Sequence, residues 1–133
     1  MTRRRVYLAV LALLLLLNTF SGIAKVTFSS YRESGESALA RAELDQAFES
    51  IQSSLTWQRG NSPSHVLIGR ILRLSMANSI PVKALEGAGP EEILGVGTGS
   101  VGRGIVLSPS DAWAWFNLAE VYRGFQLGRH RRE

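Results

Sequence analysis

Apolar residues follow two regimes along this chain. Residues 6–24 carry no charge, and positions 13–17 are five consecutive leucines. As a helix this segment of 19 residues spans about 28 Å, close to the ~30 Å hydrocarbon core of a bilayer. Beyond it, apolar positions recur at steps of three and four. Residues 36–57 contain neither Pro nor Gly and place Ala40, Leu44, Ala47, Phe48, Ile51 and Leu55 on one face, opposite Arg41, Glu43, Asp45, Glu49 and Gln52. That spacing predicts an amphipathic helix stopped by Gly60-Asn61. Ser62 as a cap and Pro63 as the first helical residue predict a second start, followed by a stripe of Val66, Leu67, Ile68, Ile71, Leu72 and Leu74. This helix is expected to end near Ser79, because Pro81 biases Ile80 away from the α region. Residues 83–89 read as a loop.

Pro90-Glu91-Glu92 predicts a third start, with acids at the positive end of the helix dipole. Gly95, Gly97, Gly99, Gly102 and Gly104 then interrupt the pattern, while Ile93, Val96, Val101 and Ile105 keep a helical spacing. Each glycine costs about 0.8 to 1 kcal/mol relative to Ala inside a helix. The segment reads as a weak, Gly-rich helix, with an irregular loop as the alternative. The last element opens with Ser108 as cap, Pro109 as first helical residue and Asp111 three beyond the cap. Trp113, Trp115, Phe116, Leu118, Ala119, Val121, Tyr122 and Phe125 follow, apolar on more than one face, and Gly128 marks its end. No alternating run suited to a strand occurs. The expected fold is all-α: a transmembrane helix (1–24), a polar connector (25–35), a domain of about four helices (36–128) and a basic tail (129–133).

Charge sharpens the membrane reading and removes another. Arg3, Arg4 and Arg5 precede the apolar segment, and Arg129, Arg131 and Arg132 close the chain; between them nine basic residues face ten acidic ones, a net charge of −1. A nucleic-acid surface needs basic side chains gathered on a folded face, so nucleic acid is not an expected partner. Three arginines before the segment, against Lys25 and Arg32 beside Glu33 and Glu36 after it, place the N-terminus in the cytoplasm by the positive-inside rule. The remaining domain is then extracytoplasmic, on the periplasmic side of an inner (plasma) membrane. The alternative is a cleaved signal peptide, with Gly22-Ile23-Ala24 preceding a cut before Lys25. Phe20 and Ile23 prolong the apolar stretch beyond a usual signal-peptide core and favour the uncut anchor.

Pro109, Trp115, Leu118, Ala119 and Tyr122 occupy the positions of a proline followed by W-x2-L-G-x2-Y, with Ala119 in place of glycine. This resembles the first helix of a tetratricopeptide repeat. Counting back, Gly97, Val101 and Gly104 fall where the preceding second helix places small, large and small residues; Ala47, Ile51 and Ser54, then Ile68, Gly69 and Leu72, fit a further partial unit. The interval between first helices is about 50 residues rather than the usual 34. The resemblance implies stacked helical hairpins and a large aromatic at Trp115 in the core; a generic helical bundle is the alternative fold. It also implies that first helices line a groove for a peptide or helix of another protein, here involving Val66, Arg70, Arg73, Trp113, Asn117, Glu120 and Arg123.

No enzyme chemistry is expected. The chain has no cysteine, which excludes disulfides, thiolate metal sites and a cysteine nucleophile. Gly97-Thr98-Gly99-Ser100-Val101-Gly102 is a literal GxGxxG, but it follows no strand and Pro109 arrives too soon, so no dinucleotide cofactor is expected. His65 and His130 lack the partners of a metal site or triad. Adjacent Glu91 and Glu92 point apart on a helix and suit its dipole. The expected function is a membrane-anchored protein-interaction module. A secreted or periplasmic binding protein, or a structural subunit of a membrane complex, is the alternative.

Overall fold

The helix that begins at the arginines does not stop where its apolar segment does. In the computed structural model, which describes residues 2–133, α1 runs unbroken over Arg3–Ala40, about 57 Å at ~1.5 Å per residue. Four helices follow: α2 (Leu44–Trp57), α3 (Ser62–Asn78), α4 (Pro90–Leu107) and α5 (Ala112–Arg132), with a 3-10 turn at Lys83–Leu85. Among the described residues there is no strand, so the chain is all-α. The apolar part of α1 is long and hydrophobic enough to cross a membrane, and the rest of the fold buries none of it.

Residues 25–35, expected as a connector, are therefore helix. Weak local propensity is overridden by packing: Phe28, Gly35 and Ala38 are buried, and Ile51 of α2 lies directly over Gly35. The helix expected over 36–57 is instead divided at Arg41–Glu43. Ala42 N–H donates to Leu39 O (3.0 Å) and Glu43 N–H to Ala38 O (2.9 Å), while Ala42 takes a left-handed φ of 58°. This is a Schellman stop built without glycine. Arg41 grips Glu43 across the turn through two hydrogen bonds of 3.0 Å, which hold the Glu43 carboxyl below its usual range. Leu44, next in sequence, is buried, so the sharp reversal delivers α2 onto α1.

The other helix starts differ slightly from expectation. Asn61, rather than Ser62, caps α3 by accepting from Ser64 N–H at 3.0 Å. Asp111, rather than Ser108, caps α5 by accepting from Trp113 N–H at 3.0 Å. Pro90 opens α4 as expected. Helix α5 passes through Gly128 and ends at Arg132, because Gly128 is the place where Met76 of α3 comes closest rather than a stop.

Helix α3 is central and packs against α2, α4 and α5. Its Ile68, Ile71 and Leu72 join Ala38, Leu44, Phe48 and Ile51 in one core; its Val66 and Met76 join Val101, Ile105, Ala114 and Val121 in a second. Each large side chain fully buried there, such as Phe48 or Leu72, contributes about 1.5–3 kcal/mol. The Gly-rich segment is helix, and its glycines fall on two faces. Gly97 meets Leu72 and Val121, and Gly104 meets Val66 and the Ser62 carbonyl; Gly95, Gly99 and Gly102 have open space beside them. Across the same seam, a Cβ at Gly69 would fall inside Val101. The pairings run in opposite directions for α3 and α4 and in the same direction for α3 and α5, where Gly124 meets Arg73 and Gly128 meets Met76.

Two stability predictions follow from these backbones. Gly95→Ala, Gly99→Ala and Gly102→Ala should each stabilise by about 0.5–1 kcal/mol, whereas Gly69→Ala and Gly124→Ala should destabilise by about 1–3 kcal/mol; chemical unfolding followed by circular dichroism would show two groups of opposite sign. Ala42→Gly should add about 1 kcal/mol by relieving the left-handed turn, and a loss in the same assay would contradict the Schellman assignment.

Candidate functional site

One face of the domain brings together α1, the first turns of α3 and the start of α5. A cavity of about 260 Å³ opens there, lined by Arg32 and Glu36 of α1, Pro63, Val66, Leu67 and Arg70 of α3, and Asp111 and Trp113 around the start of α5. A second depression of about 320 Å³ shares Glu36, Leu67 and Arg70 with it and continues over Leu39, Ala40 and Leu74. Together they form a furrow with an apolar floor and charged walls. Arg32 Nε pairs with Glu36 Oε1 at 3.1 Å. Arg70 is exposed and, among the described residues, makes no hydrogen bond or ion pair. Its guanidinium therefore faces the furrow with all its donors available to an incoming acceptor. Trp113 stacks on Phe116, with ring centroids 5.2 Å apart, and forms the furrow's aromatic edge.

Of the seven residues expected in a partner groove, the structure brings Val66, Arg70 and Trp113 into this cavity, with Val66 buried as part of the floor. Arg73, Glu120 and Arg123 form an adjoining ion cluster: Glu120 accepts from Arg73 Nη1 at 2.9 Å and from Arg123 Nη1 at 3.4 Å. Asn117 is not a groove residue. It is 3% exposed and donates through Nδ2 to the Trp113 carbonyl at 2.8 Å. Sequence reasoning missed Arg32, in the expected connector, and Glu36, at the start of the helix expected over 36–57; their i, i+4 spacing is the signal that the helix continues.

The residues that carry the repeat resemblance sit elsewhere than expected. Trp115, Ala119 and Tyr122 are exposed, Leu118 is half-buried, and Pro109 is in the turn before α5. The face of α5 that meets the core is instead Ala114, Asn117, Val121, Gly124 and Gly128. Helix α5 packs chiefly against α3 and α4, and these small residues admit the close approach. Trp115 satisfies its indole locally by donating from Nε1 to the Pro109 carbonyl at 3.0 Å.

A further cavity of about 420 Å³ lies between the end of α2 and the start of α3, lined by Gln52, Leu55, Thr56, Arg59, His65 and Arg103. His65 Nε2 lies 2.8 Å from the Arg59 carbonyl. Among the described residues no three His, Asp or Glu side chains converge in a way that could hold a metal ion. The GxGxxG segment lies inside α4, which deprives it of the strand-to-helix turn that cradles a pyrophosphate. Comparison with family models, with characterised proteins and with solved structures finds no match to this chain.

The ion cluster and the surface tryptophan give separable expectations. Glu120→Ala should cost about 1–2 kcal/mol by leaving the partly buried Arg73 without its partner, whereas Arg123→Ala should cost under about 0.5 kcal/mol. Trp115→Ala should cost about 1 kcal/mol, well below the ~3–5 kcal/mol of a buried tryptophan. Urea midpoints of the three variants would check both statements.

Proposed function

We propose that this protein is a membrane-anchored interaction module of the bacterial cell envelope. In this reading residues 6–24 hold it in the inner membrane with the N-terminus cytoplasmic, and the domain formed by the second half of α1 with α2–α5 stands on the periplasmic side. The observation that carries the reading is that one unbroken helix supplies both the membrane-length apolar segment and a wall of the furrow. Gly22-Ile23-Ala24 lies inside that helix, which favours the uncut anchor over a cleaved signal peptide.

The furrow supports protein binding rather than chemistry. It offers an apolar floor for anchoring side chains, an aromatic edge, and an unpaired guanidinium suited to a carboxylate or a backbone carbonyl. The order α1–α2, α3–α4 and then α5, with residues of α1, α3 and α5 bordering the furrow, is what supports a hairpin-array reading. The favoured ligand is an extended or helical segment with an apolar residue beside an acidic one.

Two measurements test the proposal. After expression in a bacterial host, the chain should resist carbonate extraction and show its full-length mass; a soluble species beginning at Lys25 would retire the anchor. A photocrosslinking side chain placed at Arg70 or Trp113 should give a discrete crosslinked species in membranes, while one at Gly99 on the outer face of α4 should not. Equal labelling from both faces would retire the furrow as the binding site.

A further inference from the structure

All three tryptophans of the chain lie at one end of the helical domain, the end from which the apolar half of α1 emerges. Trp57 is the last residue of α2, and Trp113 and Trp115 lie in the first turn of α5. Gly35 faces Ile51 across antiparallel α1 and α2, which carries Trp57 to the level of Ser29. Ser62 Oγ donates to the Gly104 carbonyl at 2.8 Å, tying the start of α3 to the last turns of α4. Trp115 is folded down onto the α4–α5 turn through its bond to Pro109. The same end exposes Val26, Val106 and Leu107, with Val106 78% exposed.

Distance and charge both match a bilayer surface. Phe28, where the domain's core begins, lies about 6 Å beyond Ala24 along the helix, within the ~5–8 Å head-group layer on each side of the hydrocarbon. The proximal end carries Lys25, Arg32, Arg59 and Arg103; of its acids, Asp111 is occupied in capping α5, Glu36 pairs with Arg32, and Glu33 lies beside them on α1. Glu43, Asp45, Glu86, Glu91 and Glu92 lie toward the opposite end, with Lys83, Arg129 and Arg131. Arg59 and Arg103 line the cavity of about 420 Å³ described above, and no acid lines it with them.

We infer that this end is a second, interfacial contact with the membrane: Trp57 and Trp115 sit at the head-group boundary and Arg59 and Arg103 receive lipid phosphate. Tryptophan favours that boundary because its ring is apolar and its N–H is not, and guanidinium binds phosphate through paired donors. The domain then rests on the bilayer by this end, with the furrow, which follows α1 and α3, rising away from the surface. The inference rests on α1 crossing the membrane.

The test uses the full chain in bilayer nanodiscs of phosphatidylcholine and phosphatidylglycerol, with and without bromine on the acyl chains close to the glycerol. Residues 6–24 contain no tryptophan, so tryptophan emission reports on the domain alone. We expect brominated lipid to lower that emission roughly twofold. Trp57→Phe and Trp115→Phe should each remove part of the quenchable signal. The pair Arg59→Glu with Arg103→Glu should reduce quenching, and Lys83→Glu at the distal end should not. Emission indifferent to bromine in a chain that still resists carbonate overturns the inference and returns the aromatic end to a protein partner or a second copy. Quenching that responds to Lys83→Glu as strongly as to the arginine pair overturns the phosphate contact. A chain that washes out of the membrane removes the anchor as well, so the two failures are told apart.

Discussion

Helix α3 lies so close to α4 and α5 that glycine backbone forms one side of three of its contacts. The Val101 side chain occupies the space a Cβ would need at Gly69, the Arg73 stem and carbonyl fill it at Gly124, and the Met76 carbonyl fills it at Gly128. Short interaxial distance brings more of each helix's flank into contact, which compensates for the little apolar surface that glycine itself offers. Both cores depend on this seam, because α3 contributes Ile68, Ile71 and Leu72 to one and Val66 and Met76 to the other. If α3 were displaced, the furrow would lose its floor and the ion cluster would lose Arg73.

The seam also explains the distribution of large residues on α5. A helix that meets its neighbours through Ala114, Val121 and glycines leaves its bulky side chains outside. Trp113, Trp115, Phe116 and Tyr122 are more than half, or close to half, exposed. An aromatic surface of this kind serves contacts made outward, to protein or to lipid. Fold and surface chemistry are thus linked: the positions that make the interior tight are the ones that turn the aromatic residues to the outside.

Much of the architecture was legible in the sequence. Pro63 and Pro90 marked true helix starts, and the steps of three and four found α2 and α3. The stop at Arg41–Glu43 was not legible, because its left-handed residue is Ala42, where glycine or asparagine would have announced it. Trp115 was misplaced for a different reason. Residue type records that a side chain is apolar, but not which side of its helix has a neighbour. The spacing of Ala114, Asn117, Val121, Gly124 and Gly128 held that information as a stripe of small residues, and the tryptophans beside it drew the eye. In the furrow, Val66, Arg70 and Trp113 lie together because helix order brings them there. The i, i+4 pair Arg32 and Glu36 hints that α1 continues, but the continuation itself depends on burial of Phe28, Gly35 and Ala38, which is not local information.

An unbroken α1 also has a mechanical meaning. Turns 25–40 add about 24 Å of stiff rod beyond the apolar segment, with no glycine-rich hinge between the two parts. If the apolar half crosses a bilayer as proposed, tilting it by about 20° would sweep the Ala40 end sideways by about 8 Å. Rotation of the rod about its axis would likewise turn Arg32 and Glu36 relative to whatever lies in the furrow. In a chain anchored as proposed, the helix would act as a lever, converting a change in bilayer thickness or lateral packing into a displacement of the furrow.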